Sequence, residues 1–281
     1  MLRTRTPTRL LTSSDRDAVL ELCARHPADN VFPAARILEG ALLSASTPVL
    51  GYHEDGQLAA VCFAGANVVP VETDSRARMA LADRVRRWQR RTASLLGPAD
   101  QVMGLWADFE GQWSPARSVR PVQPHLATSQ SPRAFGVTPD PRVRPARMSE
   151  LDAVLVAAEH MFTHEIGYPP YRGSARAYRA ILARLIDRSH TFVIIERGEV
   201  IFKADVGSAA LGCAQIQGVW VAPRLRGQGL GTVGMAGVVE HVHALIAPTA
   251  TLYVNHFNTA ARATYERIGM RQIGTFATVL L

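Results

Sequence analysis

Short apolar runs alternate with helix-period segments along this chain, and the order is clearest in its second half. Val143 to Met148 reads as a strand. Ser149 then caps a helix reaching about Phe162, with Asp152 three residues on as a near-match to a capping box. A second helix follows from about Ser174 to Arg188. Thr191–Glu196 and Val200–Val206 read as strands joined by the turn Arg197-Gly198, a hairpin signal. Cys213–Val221 is a third strand. A helix runs from near Leu230 to about Ile246, a strand covers Thr251–Val254, and a last helix follows. The predicted order is β-α-α-β-β-β-α-β-α-β.

The first half echoes that order. A short strand near Arg9–Leu11 leads to a helix from Ser14 and another near Pro33–Leu43. Strands Val49–His53 and Leu58–Ala64 flank the turn Glu54-Asp55-Gly56. A helix from Ala77 to Arg91, a short strand near Leu95 and a helix from about Pro98 complete it. Between the halves, SQSPRAFGVTPDP is rich in Pro, Ser and Gly and has no apolar period, so it reads as a linker. The expected division is residues 1–128, a linker at 129–141, and residues 142–281.

Composition changes this picture little. With 281 residues, 47% of them apolar, the chain has material for one large or two modest cores. The opening MLRTRTPTRLLTSSDRD has no apolar stretch of a secretory leader, and no run reaches membrane-spanning length. The cysteines, Cys23, Cys62 and Cys213, are odd in number and widely spaced, which fits a reduced cytoplasmic chain without disulfides or a metal site. The net charge of +7 comes almost wholly from Arg; Lys203 is the sole lysine. That bias, with abundant Ala and Val, fits a high-GC bacterial genome. The densest basic run, Arg84 to Arg91, lies on the amphipathic Ala77–Arg91 segment, whose apolar stripe is Leu81, Val85 and Trp88. A solvated helix face is therefore expected there, with no nucleic-acid or membrane partner.

The candidate chemistry lies in Gln215–Gly231, QIQGVWVAPRLRGQGLG. Strand, basic glycine-spaced turn and helix together aim backbone N–H groups and a positive helix end at an anion, usually a phosphate. No Gly-Lys-Ser/Thr follows, so it is not a P-loop, and the glycine spacing is not the G-x-G-x-x-G of dinucleotide folds. The spacing R-x-x-G-x-G, filled by Arg226, Gly229 and Gly231, resembles the pyrophosphate loop of the GNAT superfamily of N-acetyltransferases. Asn258, Ala261, Tyr265 and Gly269 fill a second motif, N-x-x-A-x-x-x-Y-x-x-x-G, that resembles the other half of the GNAT cofactor site. Met270 stands where the family more often has Phe. EHMFTHEIG (Glu159–Gly167), FKADVG (Phe202–Gly207) and QGVWV (Gln217–Val221) carry a closer likeness to actinobacterial two-domain GNAT proteins, whose N-terminal domain has no known function.

The resemblance implies an α/β fold, two GNAT-like units with mixed, mostly antiparallel sheets flanked by helices. The first unit is degenerate, because VVPVETDSRARM offers no glycine loop before Ala77. It implies acetyl-CoA as co-substrate, no metal, and an amine acceptor attacking directly in a ternary complex. Backbone groups of Val219, Trp220 and Val221 would bind the pantetheine arm and polarise the thioester carbonyl. Arg226, Gly227, Gln228, Gly229, Leu230, Gly231 and Thr232 would cradle the pyrophosphate, with Asn258 beside them. Tyr265, two helical turns beyond Asn258, is the candidate general acid.

The base is open. Gln215 and Gln217 occupy the strand positions where many GNAT enzymes carry a carboxylate, and neither accepts a proton near neutrality. Asp205, and Glu165 between the first two helices, are the candidates, with His164 beside Glu165. Lys203 shares a strand face with Asp205 and reads equally as an active-site charge or an exposed ammonium. Met161–Gly173 is expected to wall the acceptor site. Two other functions stay open: an acyl-CoA sensor without turnover, and a tandem GNAT for one small-molecule biosynthetic step, as in mycothiol synthase-like proteins.

Overall fold

The structure, a computed structural model, describes residues 7–44 and 47–281. Part of the N-terminal stretch read above for a leader lies outside them. The chain forms two compact units. One comprises the chain through His125 with Tyr253–Phe257 and Gln272–Leu281; the other comprises Leu126–Leu252 and Asn258–Arg271. These units cut across the boundaries expected at residues 128 and 142, because the last ten residues join the first unit.

The first unit holds β1 (Thr8–Leu10), α1 (Arg16–Cys23), α2 (Val31–Leu38), β2 (Val49–Glu54), β3 (Gln57–Ala64), β4 (Asn67–Val71), α3 (Ser75–Val85), β5 (Ser94–Pro98) and α4 (Ala99–Phe109). The boundary falls within β6 (Ser118–Thr128), after His125. The chain's last strand, β12 (Arg271–Leu280), lies between β5 and β6, giving the order β1-β2-β3-β4-β5-β12-β6. β12 runs antiparallel to β5, from Phe276 opposite Pro98 to Leu280 opposite Ser94, and β4 and β5 are parallel. Period two explains why β12 belongs here. Ala277 and Val279 point into a core with Leu50, Leu81, Leu95, Leu105 and Phe109. Phe276 turns the other way, against His125 and Tyr253. Thr278 Oγ1 donates to Gln123 Oε1 (2.7 Å).

Two strands and two helix ends differ from expectation here; α2, expected to reach Leu43, stops at Leu38 before the left-handed Gly40. Pro70 in β4, and Pro121 and Pro124 in β6, mask these strands, since proline argues against a strand. The α-helix expected to Arg91 ends at Val85 and tightens into a 3₁₀ segment, Arg86–Arg91. Like charges spaced three and four apart there disfavour continued α-helix.

The second unit holds β7 (Arg144–Pro145), α5 (Leu151–Ile166), α6 (Arg176–Asp187), β8 (Thr191–Glu196), β9 (Glu199–Ala210), β10 (Cys213–Val221), α7 (Leu230–Leu245), β11 (Thr249–Tyr253) and α8 (Thr259–Arg267). Its sheet order is β11-β10-β9-β8-β7, antiparallel except for the parallel β10–β11 pair. Alternation along β9 sets the two faces. Phe202 meets α7 so closely that a Cβ on Gly234 would lie 2.7 Å from its ring. Lys203 and Asp205 point oppositely, toward Met161 of α5. Among the described residues no helix is long and apolar enough to cross a membrane.

The 129–141 segment is folded onto this unit rather than strung out as a tether. Ser131 caps a 3₁₀ turn, Pro132–Phe135, and its Oγ bonds Glu240 of α7 (2.5 Å). Phe135 sits where a Cβ on Gly269 would fall, and Asp140 N–H donates to Val233 O (3.0 Å). The strand expected at Val143–Met148 shrinks to β7. Glu150, not Ser149, accepts from the backbone at the helix start, through Arg147 N–H (2.8 Å). α5 runs past Phe162 to Ile166.

Because Val279 is fully buried in the first unit's core, Val279→Ala should lower stability by about 2 kcal/mol. Equilibrium urea unfolding followed by tryptophan fluorescence measures this; a change within error of zero would contradict the placement of β12.

Candidate functional site

β10 has two unlike edges. Toward β9 the ladder pairs Gln217 with Asp205 and Trp220 with Lys203, so Gly218 and Val219 together face Ala204 in a bulge. Toward β11 it pairs only over Cys213–Gln215. From Ile216 onward the two strands part, and β10 presents an edge that no β11 residue covers. Such an edge is a template for an extended, amide-bearing chain.

The chain then turns through Pro223–Leu225 into the loop and α7. Gly227 (φ 75°) and Gly229 (φ 84°) are left-handed, and no atom lies within 4 Å of where either Cβ would be. Conformation, not crowding, requires glycine there. Arg226 Nε donates to Val221 O (3.1 Å) and Gln228 Nε2 to Arg224 O (3.0 Å), which fixes the loop's shape. Thr232 N–H and Val233 N–H close on Gly229 O (2.9 and 3.3 Å). Among the described residues no backbone carbonyl accepts from the N–H groups of Gly227 to Gly231. The first turn of α7 carries no acidic side chain. Leu230 opens the helix, and a Cβ on Gly231 would lie 3.6 Å from Val221 and 4.0 Å from Thr264 Oγ1 of α8. Free donors at a sixteen-residue helix's positive end make an anion site. The first unit's α3 differs, because the Asp74 carboxylate already accepts from Ala77 N–H there (2.8 Å).

Asn258 caps α8, its Oδ1 accepting from Ala261 N–H (3.2 Å), so the side-chain oxygen is spent on the cap. Tyr265 is buried on α8, and burial first, then the negative charge of Glu165, holds its hydroxyl proton above the usual tyrosine value of 10. Glu165 and His164 lie in the last turn of α5, not in a loop as their sequence position suggests. Asp205 is buried with both oxygens engaged: Thr191 Oγ1 donates to Oδ1 (2.8 Å), and the fully buried Lys203 ammonium pairs with Oδ2. The exposed-ammonium reading of Lys203 therefore fails.

A cleft of about 560 Å³ opens beside β10 and the loop. Glu159, His160 and His164 of α5 line it with Tyr171, Trp220 and Arg226. Tyr171 hydroxyl donates to Glu159, and the His160 ring lies 6.2 Å from that of Trp220. Tyr265, Glu165 and Asp205 do not line it. Pro169, Pro170 and Tyr171 do, from the segment expected as the acceptor wall. Glu159 and His160 went unremarked as site residues. With α5 continued to Ile166, His160 and His164 fall one turn apart on one face, a spacing that would have disclosed them.

A strand edge opened at its end and a glycine loop feeding a helix form a candidate site for an extended ligand with an anionic tail. Residues 158–270 match the acetyltransferase (GNAT) family, and residues 47–154 match a domain of unknown function, DUF4081. The chain thus carries a GNAT domain in its second half, which supports an acyl-CoA-dependent N-acyltransferase. Similar solved structures include a GNAT-family acetyltransferase from Colwellia psychrerythraea (12% identity, TM-score 0.58, covering 98% of this chain and 99% of that one). A tandem GNAT protein from the clavulanic acid biosynthesis pathway, solved without AcCoA, is 14% identical (TM-score 0.58, 96% and 97% covered). A GCN5-related N-acetyltransferase from Sphaerobacter thermophilus is 17% identical (TM-score 0.62, 97% and 94% covered). At these identities the likeness is one of fold. No curated protein sequence matches the chain.

A β-branched residue at Gly229 would be forced into the left-handed region, at about 1–3 kcal/mol. Gly229→Val should therefore weaken acyl-CoA binding roughly 5- to 150-fold. Titration calorimetry on the full chain measures it, and an unchanged affinity would contradict the loop's role.

Proposed function

We propose that this protein is an acetyl-CoA-dependent N-acetyltransferase acting on a primary amine. The observation that carries the reading is the continuity of β10's uncovered edge with the left-handed glycine loop and the unblocked α7 N-terminus. The first offers alternating N–H and C=O groups that suit the two amides of a pantetheine arm. The second suits a pyrophosphate. Acetyl-CoA supplies a thioester carbonyl open to attack by the amine.

The chain's own groups then divide the work. Backbone N–H groups of Val219, Trp220 and Val221 align the arm, and one beside the bulge stabilises negative charge on the carbonyl oxygen. N–H groups from Gly227 to Gly231 hold the pyrophosphate, those of Arg226 and Thr232 being taken by Pro223 O and Gly229 O, and Asn258 donates its amide NH₂ beside them. Tyr265 donates its hydroxyl proton to the departing sulfur. Its neutrality above pH 10 keeps that proton in place through the physiological range. Asp205, locked between Thr191 and Lys203, suits positioning better than proton transfer. Glu165 bears on Tyr265 through its charge. The proton of the amine falls to the cleft's own acceptors, Glu159 and His160. The cleft's one carboxylate among aromatic and proline surfaces suits an amine with an apolar body.

Tyr265→Phe should lower turnover about 10²–10⁴-fold while leaving acetyl-CoA affinity unchanged. Assay of free CoA release with a panel of primary amines, by mass spectrometry of the acetylated product, supplies both numbers. Since the Tyr265 pKa is raised, no alkaline limb due to this group should appear below pH 10. A limb near pH 8 that vanishes in Tyr265→Phe would contradict the assignment. Acetyl-CoA binding without turnover on any amine would favour a sensor instead.

A further inference from the structure

We propose that the buried Lys203–Asp205 pair is a positioning element of the acyl-transfer site, fixing the β10 bulge so that its N–H meets the acyl carbonyl. The proposal rests on the acetyltransferase reading above. Three observations on the chain carry it. The pair brackets the bulge in register: Asp205 lies opposite Gln217, Lys203 opposite Trp220, and Gly218 and Val219 fill the gap between. The charges also press on the bulge. A Cβ on Gly218 would lie 3.0 Å from Asp205 Oδ2 and 3.3 Å from Lys203 Nζ, with Met161 Cε behind at 3.4 Å. Gly218 is left-handed (φ 61°), so the peptide there is turned out of the ladder by a residue that both geometry and space restrict to glycine. Finally, the arrangement is anchored from the far side, where Thr191 of β8 donates to the other Asp205 oxygen.

Stability does not account for such a pair. Removing an ammonium and a carboxylate from water costs about as much as their attraction returns, and well-packed apolar replacements are often neutral or better. Lys203 is nevertheless fully buried, and it is the sole lysine in a chain whose other fixed cations are all Arg. A planar guanidinium is larger and presents a fork; a compact ammonium fits beneath the bulge. Lys203 and Asp205 lie on the face toward α5, so the pair acts through the backbone of Gly218–Val219 and not by contact with the acyl group. It is the floor that sets where the bulge N–H points.

The test separates positioning from folding. The double variant Lys203→Met with Asp205→Asn removes both charges and leaves neither unpaired. Titration calorimetry with acetyl-CoA should show affinity within about threefold of wild type. The ¹³C shift of the carbonyl in bound [1-¹³C]acetyl-CoA, displaced downfield in wild type by the bulge N–H, should return toward its free value. Turnover should fall about 10²-fold, the scale of a misplaced reacting group. A double variant with the wild-type carbonyl shift and turnover would overturn the proposal. If the double variant does not fold, Thr191→Val, which removes only the Oγ1 donor, decides: a weakened shift at unchanged affinity supports the proposal and an unchanged shift overturns it. Lys203→Arg should not restore the shift. Wild-type protein that fails to bind acetyl-CoA overturns the acetyltransferase reading itself, and the proposal with it.

Discussion

Backbone donors that the fold leaves without backbone acceptors govern the second unit. An uncovered strand edge and the first turn of a helix both offer N–H groups with no backbone partner, and here two such sets converge. β10 parts from β11 after Gln215, and the loop into α7 holds Gly227 and Gly229 left-handed. Arg226 and Gln228 spend their side chains on backbone carbonyls, which stiffens the loop without blocking it. Preorganisation of this kind lets a flexible, charged ligand bind without the protein first reordering.

How legible this was depended on range. The glycine loop and β10 could be read from residues alone, because left-handed turns and strand periodicity are local properties. β10 spans Cys213–Val221 as expected, and α7 begins at Leu230. Elements set by distant partners were not legible. β12 shows an ordinary strand pattern, yet nothing in Arg271–Leu280 says that its partner is β5, 186 residues earlier by the register of Leu280 with Ser94 and beyond the reach of any sequence-local rule. β6 was hidden by its prolines. Serine and proline in 129–141 signalled a tether, whereas Ser131, Phe135 and Asp140 each found a partner.

The candidate catalytic side chains divide the same way. Tyr265 could be named from its motif. Its burial and its neighbour Glu165 could not. Asp205 is a suitable base by residue type, but the Thr191 hydroxyl and Lys203 ammonium that occupy it come from β8 and from the same strand face. Glu159 and His160 lie inside the helix expected to Phe162, but the alignment of His160 with His164 on one face needs the turn that carries α5 on to Ile166. In the first unit, one carboxylate changes the outcome: Asp74 supplies α3 with the anion that α7 lacks.

Backbone amide hydrogen exchange, with and without acetyl-CoA, tests the central claim most directly. Protection is predicted at Val219–Val221 and Gly227–Gly231, with none at the start of α3 near Asp74–Arg78. Exchange unchanged in the first two segments at saturating acetyl-CoA, or protection centred on α3 instead, would contradict it.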